Sequence, residues 1–321
     1  MDALDVKILR ALLSERSVAP SERQVSSSLR SIAARLGADD VTVTYRYKKL
    51  AELGALSGWR IAINPTFFGL NSLDATVDVQ PESAKPDMIR KLSLIHEVVG
   101  IQDFYGRGLK VVAWYGSNEA RSRVVELISR ITNPESMTVF HWTIPKSRTE
   151  RLTPTDVAII RALSDDARMS LSEVARELGF STRTVRNHVE KLLSENLIHS
   201  FPSLNMSSIP GLIPVHFSYT YSNGESKGAV DGAILSRFEE NYLSVMFSDP
   251  DRGYITMVVS TMKDVQDALV WAKSQPGIAS ARTDILVKWL TFPDKLVELL
   301  DLKNMAGPIQ DSKVGKTARR K

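Results

Sequence analysis

The chain has 321 residues, of which 43% are hydrophobic and 24% are charged, and it contains no cysteine. This composition is that of an ordinary globular protein, and the length allows about two to four domains. The lack of cysteine excludes disulfides and cysteine-based metal or nucleophile sites. No apolar run approaches the ~18–20 residues that cross a bilayer, and the first residues lack the basic and apolar regions of a secretory signal. We therefore expect a cytoplasmic protein without a membrane partner.

The net charge of +4 is distributed unevenly along the chain. Residues 1–65 carry +3 and residues 303–321 carry +5, whereas residues 206–302 carry −4. The segments 66–145 and 146–205 are close to neutral. This asymmetry suits a protein that contacts a polyanion with some parts and other proteins with others. The charge of the first segment is also within ordinary scatter, so charge alone does not decide between these interpretations.

The clearest feature of the sequence is an internal repeat. Far downstream of the repeated segments, Trp142 still corresponds to Trp289. Residues 146–154 are polar and end at a proline, which is typical of a linker between two units. The first unit carries extra residues around 16–28. The matching segments are LDVKILRAL (4–12) and TDVAIIRAL (155–163), IAARLG (32–37) and VARELG (174–179), and VTYRYKKLAELGAL (43–56) and VRNHVEKLLSENLI (185–198).

Each unit begins with a pattern typical of a winged helix-turn-helix. In the second unit, Ser170 or Ser172 can cap a helix that ends at Gly179, and Ser181 or Thr182 can cap the next. A connection this short between two helices makes a helix-turn-helix. The segments after the third helices, residues 55–64 and 197–205, are each predicted to form a short two-stranded wing. The heads are expected to span residues 1–65 and, with the linker, 146–206.

The outward face of each third helix predicts the kind of ligand. Its side chains are cationic or hydrogen-bonding, which suits base edges and phosphates in a DNA major groove. The alternative is a solvated polar face, which recurrence inside two helix-turn-helix motifs disfavours. We expect Thr44, Tyr45, Arg46, Arg183, Arg186 and Asn187 to approach base edges, and Lys49 and Lys191 to contact phosphates. The remaining predicted DNA contacts are Thr42, Arg60, Thr182, Thr184 and His188.

After each head the order β-α-β-β-α-β follows, over residues 66–145 and again over residues 207–302, which is a ferredoxin-like arrangement. The predicted fold class is therefore α+β, with two tandem units that each combine a winged helix-turn-helix with a ferredoxin-like βαββαβ domain. Residues 303–321 lack periodic apolar residues. They are predicted to form a disordered basic tail that either grips DNA through charge or only aids solubility.

These segments resemble the Lrp/AsnC family, the leucine-responsive and asparagine-regulator type of transcription factor. The segments that resemble the family are LSEVARELGFSTRTVRNHVEKLLSENLI (171–198), IAARLGADDVTVTYRYKKLAELGALSGWRIAINPTFFGL (32–70), and the connection from Asn205 to Gly211 that leads into the second α+β domain. The resemblance implies DNA binding by the heads, and dimerisation plus small-ligand sensing by the α+β domains. Two units in one chain depart from the family, whose members usually carry one. The family's Gly-x-x-Asp effector turn is not well preserved at 105–110 or 248–254, which disfavours an amino acid as the effector.

Within these turns, Arg107 and Arg252 are either solvated or ligand anchors.

We expect one chain to pair its two units internally, read two different half-sites in a non-palindromic operator, and form a homodimer.

Other function classes receive less support from the residues. No two of the five histidines lie three or four residues apart, so there is no helical metal pair. No phosphate-binding glycine loop is present. We predict no catalytic residues, no metal and no cofactor, and hence no enzyme. The alternatives are an interaction or ligand-sensing module with degenerate heads, and a sirohaem decarboxylase, because relatives with this two-part unit have that activity.

Overall fold

The computed structural model describes residues 2–13, 28–142, 144–205, 209, 211–246, 249–292 and 294–305. Most of the extra segment predicted around 16–28 therefore lies outside the described residues. No helix in the described ranges is long and apolar enough to cross a membrane.

Both heads are three-helix domains followed by one strand. The first contains α1 (Ala3–Leu13), α2 (Leu29–Leu36), α3 (Asp40–Glu52) and β1 (Leu56–Ile63). The second contains α6 (Pro154–Asp165), α7 (Leu171–Leu178), α8 (Thr182–Ser194) and β6 (Ile198–Leu204). Their helices pack through buried aliphatic side chains at helical spacing, such as Ile8, Leu9 and Leu12 in α1, and Val185, Val189 and Leu192 in α8.

Local capping sets the turn between the second and third helices of each head. Ser170 caps α7 through a capping box with Glu173, and Gly179 ends the helix in the left-handed conformation at φ 72°. Ser181 then caps α8, with its side chain accepting from the Thr184 N–H. In the first head, Asp39 caps α3 in the same way. The predicted helix-turn-helix is confirmed, with Ser170 and Ser181 as the caps.

The prediction that each head forms its own two-stranded wing is wrong. Each head contributes one strand, and β1 pairs antiparallel with β6 of the other head from Leu56↔Leu204 to Ile63↔Ile198. The ladder ends symmetrically, because the Asn64 N–H donates to the Leu197 carbonyl and the Asn205 N–H donates to the Ala55 carbonyl. A lone hairpin is marginal in water. Pairing between heads satisfies the same backbone groups and buries apolar side chains of both.

Each α+β domain follows the predicted βαββαβ order. The first contains β2 (Asn71–Asp78), α4 (Lys85–Ser93), β3 (Val98–Phe104), β4 (Gly108–Tyr115), α5 (Asn118–Thr132) and β5 (Ser136–Trp142). The second contains β7 (Ile213–Tyr221), α9 (Lys227–Arg237), β8 (Tyr242–Met246), β9 (Arg252–Val259), α10 (Met262–Lys273) and β10 (Ile278–Thr291). The predicted α+β class is confirmed, with each pair of helices packed on one face of its sheet.

The two four-stranded sheets join edge to edge into one eight-stranded sheet, in the order β5-β2-β4-β3-β10-β7-β9-β8. The 14-residue strand β10 makes the join, because its first half pairs with β7 and its second half pairs with β3 of the other unit. The sheet curls so that its ends approach each other, and the Arg252 guanidinium stacks 3.7 Å from the Phe140 ring centre. Arg252 is therefore a contact between the units, whereas Arg107 pairs with Glu135.

A final helix, α11 (Asp294–Met305), follows the second α+β domain. Its Leu300 is 1% exposed and belongs to the apolar core that both heads share, with Val297 packed against that core. The predicted tail therefore begins too early, since its residues 303–305 are helical. Residues 306–321 lie outside the described part of the chain.

Candidate DNA-binding interface

The third helices α3 and α8 present the candidate interface. Buried aliphatic residues fix one side of each helix to its head, so the opposite side is available to a ligand. Of the predicted DNA contacts, the exposed ones are Thr42, Tyr45, Lys49, Thr182, Arg183, Asn187 and Lys191. The half-buried ones are Thr44, Arg46, Arg60, Thr184, Arg186 and His188.

Arg46 and His188 turn back toward the first helix of their own heads. Arg46 Nη1 lies 2.7 Å from Asp2 and 3.2 Å from Asp5, of which Asp5 is buried. At the equivalent position in the second head, His188 Nδ1 lies 2.7 Å from Asp156 Oδ1. Asp156 is fully buried and also accepts from the Thr153 backbone and hydroxyl. Both side chains therefore hold the third helix against the first.

The Asp156 carboxylate is stabilised in its ionised form. Burial would raise the pKa of Asp156, but the hydrogen bonds from His188 and Thr153 outweigh burial and leave this pKa below its usual value. A group with a depressed pKa stabilises the fold above its unfolded pKa, near ~3.9, and this contribution is lost as pH falls through the folded pKa.

Replacing this carboxylate should weaken the second head. We expect Asp156→Asn to lower the free energy of unfolding by about 1–3 kcal/mol at pH 7, since Thr153 and His188 lose a charged acceptor. The difference from wild type should shrink as pH falls below about 4, where the unfolded wild-type chain takes up the proton before the folded carboxylate does at its lower pKa. Urea unfolding at pH 7 and pH 3.5 measures it. Glu177→Gln, at an exposed site on α7 of the same head, is the control, and an equal loss at both pH values would contradict the prediction.

The strand pair β1–β6 also fixes one head to the other. Arg60 does not project from a wing tip, since its Nη1 lies 3.4 Å from the Ser164 carbonyl of the second head. Arg168 lies 4.9 Å from the Trp59 ring centre, and Trp59 Nε1 donates to the Tyr47 hydroxyl. The Arg60 and Arg168 contacts cross between heads, so α3 and α8 are held in a fixed relative position.

Two exposed residues of α3 were missed in the sequence. Val41 is 76% exposed, although an aliphatic side chain next to buried Val43 reads as core, and Asp40 is exposed at the first helical position. The alignment of the two units could have identified Val41, because it places Val41 at the position that Arg183 occupies on the outward face of the other third helix.

A buried polar network joins the two α+β domains. Lys110 of β4 lies 3.0 Å from Asp74 of β2, and both side chains are 3% exposed. Lys110 Nζ also lies 3.3 Å from His216 Nε2 and 3.9 Å from the Tyr254 ring centre, both in the second unit. Burial, together with the nearby Lys110 and Arg282 cations, holds the pKa of His216 well below its usual value. The Lys110 ammonium group therefore lies between the Asp74 carboxylate and a neutral histidine of the other unit.

No group of three or more histidine, aspartate or glutamate side chains among the described residues could hold a metal ion. The polar side chains exposed on α3 and α8 are of the types that pair with base edges in a DNA major groove.

Comparison with known proteins gives a family match for the second head. A family model described as winged helix-turn-helix DNA-binding matches residues 152–199, which cover α6 to α8. An uncharacterised HTH-type transcriptional regulator of Pyrococcus horikoshii is 42% identical over 62 residues, which are 19% of this chain and 39% of that protein. The HTH-type transcriptional regulator Ptr1 of Methanocaldococcus jannaschii is 46% identical over 46 residues, or 14% of this chain and 31% of that protein.

The family model matches the second head, and the first head has the same order of three helices and one strand. The second head is of the winged helix-turn-helix DNA-binding type. The chain spans about two fifths or less of the curated relatives it matches. The solved siroheme decarboxylase NirDL covers 95% of this chain and 99% of its own, at a TM-score of 0.52 and 11% identity. That likeness shows the same two-unit fold.

Proposed function

We propose that this chain is a regulator of the Lrp/AsnC type that controls transcription by binding double-stranded DNA sequence-specifically through two non-identical heads. The observation that carries the proposal is the β1–β6 pairing, which presents two third helices from one chain at a fixed separation. A protein that holds two reading helices rigidly suits two half-sites about one helical turn apart, near ~34 Å. The family match of the second head and the curated HTH-type relatives support the same function.

Within this proposal, the residues of the interface divide by role. Arg183 and Asn187 read bases, since guanidinium and carboxamide groups form bidentate pairs with guanine and adenine. Lys49 and Lys191 lie later on their helices and contact phosphates. Arg46 and His188 act by positioning the helices, as their pairing with Asp5 and Asp156 indicates. The α+β domains mediate pairing of whole chains into a homodimer and the sensing of a small effector.

The salt dependence of duplex binding tests the function. Four exposed cations lie on the two helices: Lys48, Lys49, Arg183 and Lys191. If each brings one positive charge to the duplex and so displaces one condensed counterion, the logarithm of the binding constant should fall with a slope of about −3.6 against the logarithm of salt. From 50 to 200 mM salt, the dissociation constant should therefore rise roughly 150-fold. Fluorescence anisotropy with an operator selected from a random library measures it.

Two variants sharpen the test. Replacing all four cations with glutamine should flatten the slope, whereas Lys263→Gln, at an exposed site on α10, should leave it unchanged. A flat slope for the wild type would overturn the proposal in favour of an interaction module.

A second candidate function rests on the whole-chain likeness to the siroheme decarboxylase NirDL, which was solved with an iron-uroporphyrin III analogue. Adding iron-uroporphyrin to the same protein and recording its visible absorbance separates the two functions. A saturable spectral shift without salt-dependent DNA binding would favour the decarboxylase.

A further inference from the structure

The first head exposes an apolar pair where the second head exposes polar side chains. Val41 is 76% exposed and Tyr45 is 63% exposed, and they lie one turn apart on the outward face of α3. Single exposed apolar residues are common on protein surfaces. An adjacent pair on the face of a recognition helix instead indicates a contact that covers apolar surface.

The repeat identifies what this pair replaces. Val41 occupies the position of Arg183, and Tyr45 occupies the position of Asn187, at a constant offset of 142 residues. In the major groove, arginine and asparagine pair with guanine and adenine, whereas apolar side chains contact the 5-methyl group of thymine. The same positions therefore carry two different base preferences in the two heads.

The start of α3 differs from the start of α8 in charge. Asp39 is occupied as the N-cap, with Oδ2 accepting from the Thr42 N–H at 3.0 Å. Asp40 at the first helical position is exposed, and its counterpart is Thr182. A carboxylate repels phosphates but accepts a hydrogen bond from the N4 amino group of cytosine. The exposed cations of α3, Lys48 and Lys49, lie two turns further along, which leaves the start of the helix to the bases.

We propose that Asp40, Val41 and Tyr45 make the first head a reader of pyrimidines, with Val41 and Tyr45 packing on thymine methyl groups and Asp40 accepting from a cytosine amino group. This inference rests on the proposed DNA-binding function and assigns its specificity. One chain then recognises a composite operator, with a cytosine- and thymine-reading half-site for α3 and a guanine- and adenine-reading half-site for α8.

Removing the methyl groups tests the apolar contacts directly. Each thymine of the selected operator is replaced in turn by deoxyuridine, and the dissociation constant is measured. Because a buried methyl contributes ~0.8 kcal/mol, we expect a loss of about four-fold at one or two thymines of the first half-site. The matched variant Val41→Ala should remove most of that loss, since the two partners form one contact. Deoxyuridine that is neutral throughout this half-site would overturn the proposal.

Exchanging the three side chains tests the assignment from the protein side. The variant Asp40→Thr/Val41→Arg/Tyr45→Asn carries the second head's residues, so library selection should return an operator closer to an inverted repeat. The exchanged side chains are exposed, and the thermal unfolding midpoint confirms that the variant folds. An unchanged selected operator would overturn the proposal.

The outcome for the wild type separates this inference from the proposed function. If selection returns no preferred duplex, the proposed function itself fails. If it returns a single half-site, the one whose preference Arg183→Ala relaxes, the function stands and the inference fails. The apolar pair would then be the docking surface of a protein partner.

Discussion

Replacing Arg183 with alanine should reduce affinity for the selected operator about 5- to 150-fold, equivalent to ~1–3 kcal/mol. Arg183 is exposed in the first turn of α8, where side chains of a recognition helix reach base edges. No acidic residue lies in that first turn to compete for the guanidinium. The loss should be smaller on duplexes in which the contacted base pair is already changed, so specificity relaxes at that position.

Lys191→Ala provides the matched control for this prediction. Lys191 is exposed on the same helix but lies in its last turn. Its loss should weaken binding to all sequences alike and reduce the salt slope by about one. Anisotropy titrations with the operator and with single-base variants distinguish the two patterns. If Arg183→Ala binds every duplex as tightly as wild type, α8 does not read bases in this orientation.

Replacing Lys110 with methionine should lower the free energy of unfolding by about 3–5 kcal/mol, because it leaves the Asp74 carboxylate buried without its cation. Asp74 is 2% exposed, so water cannot replace the lost partner. His216 and Tyr254 of the second unit contact the same ammonium group. The substitution should therefore also loosen the contact between the two α+β domains.

The double variant Lys110→Met/Asp74→Leu is the control. Replacing both charges with apolar groups of similar volume is often neutral or stabilising, so it should recover most of the loss. Urea unfolding should be followed near pH 7.5. His216 is neutral in the fold, and its depressed pKa means that stability falls as pH drops below about 6.5, where the unfolded state takes up the proton. A single variant as stable as wild type would show that Asp74 finds another partner.

Much of the fold follows from the sequence, because local interactions determine it. In the sequence, Ser170 and Ser181 are recognisable as helix caps and Gly179 as a helix stop. The hydrogen bonds that form these caps join residues only a few positions apart. The period of apolar residues likewise indicates the helices and strands of each unit, and each pattern occurs in both units. For the interface, the sequence identifies the outward face of α8, since Val185 and Val189 mark the inward one.

The contacts between distant segments were decided only by the tertiary structure. Strands β1 and β6 read as wings because nothing in either segment reveals that its partner lies about 140 residues away. Arg46 and His188 were predicted as DNA contacts for the same reason, because their buried partners Asp5 and Asp156 belong to another helix.

Nothing in the sequence distinguishes Lys110 from an exposed lysine, but the folded chain buries it where the two α+β domains meet. Sequence periodicity reports which side of an element is buried. What covers that side, and which charges meet beneath it, depends on burial and electrostatics between segments that only the folded chain brings together.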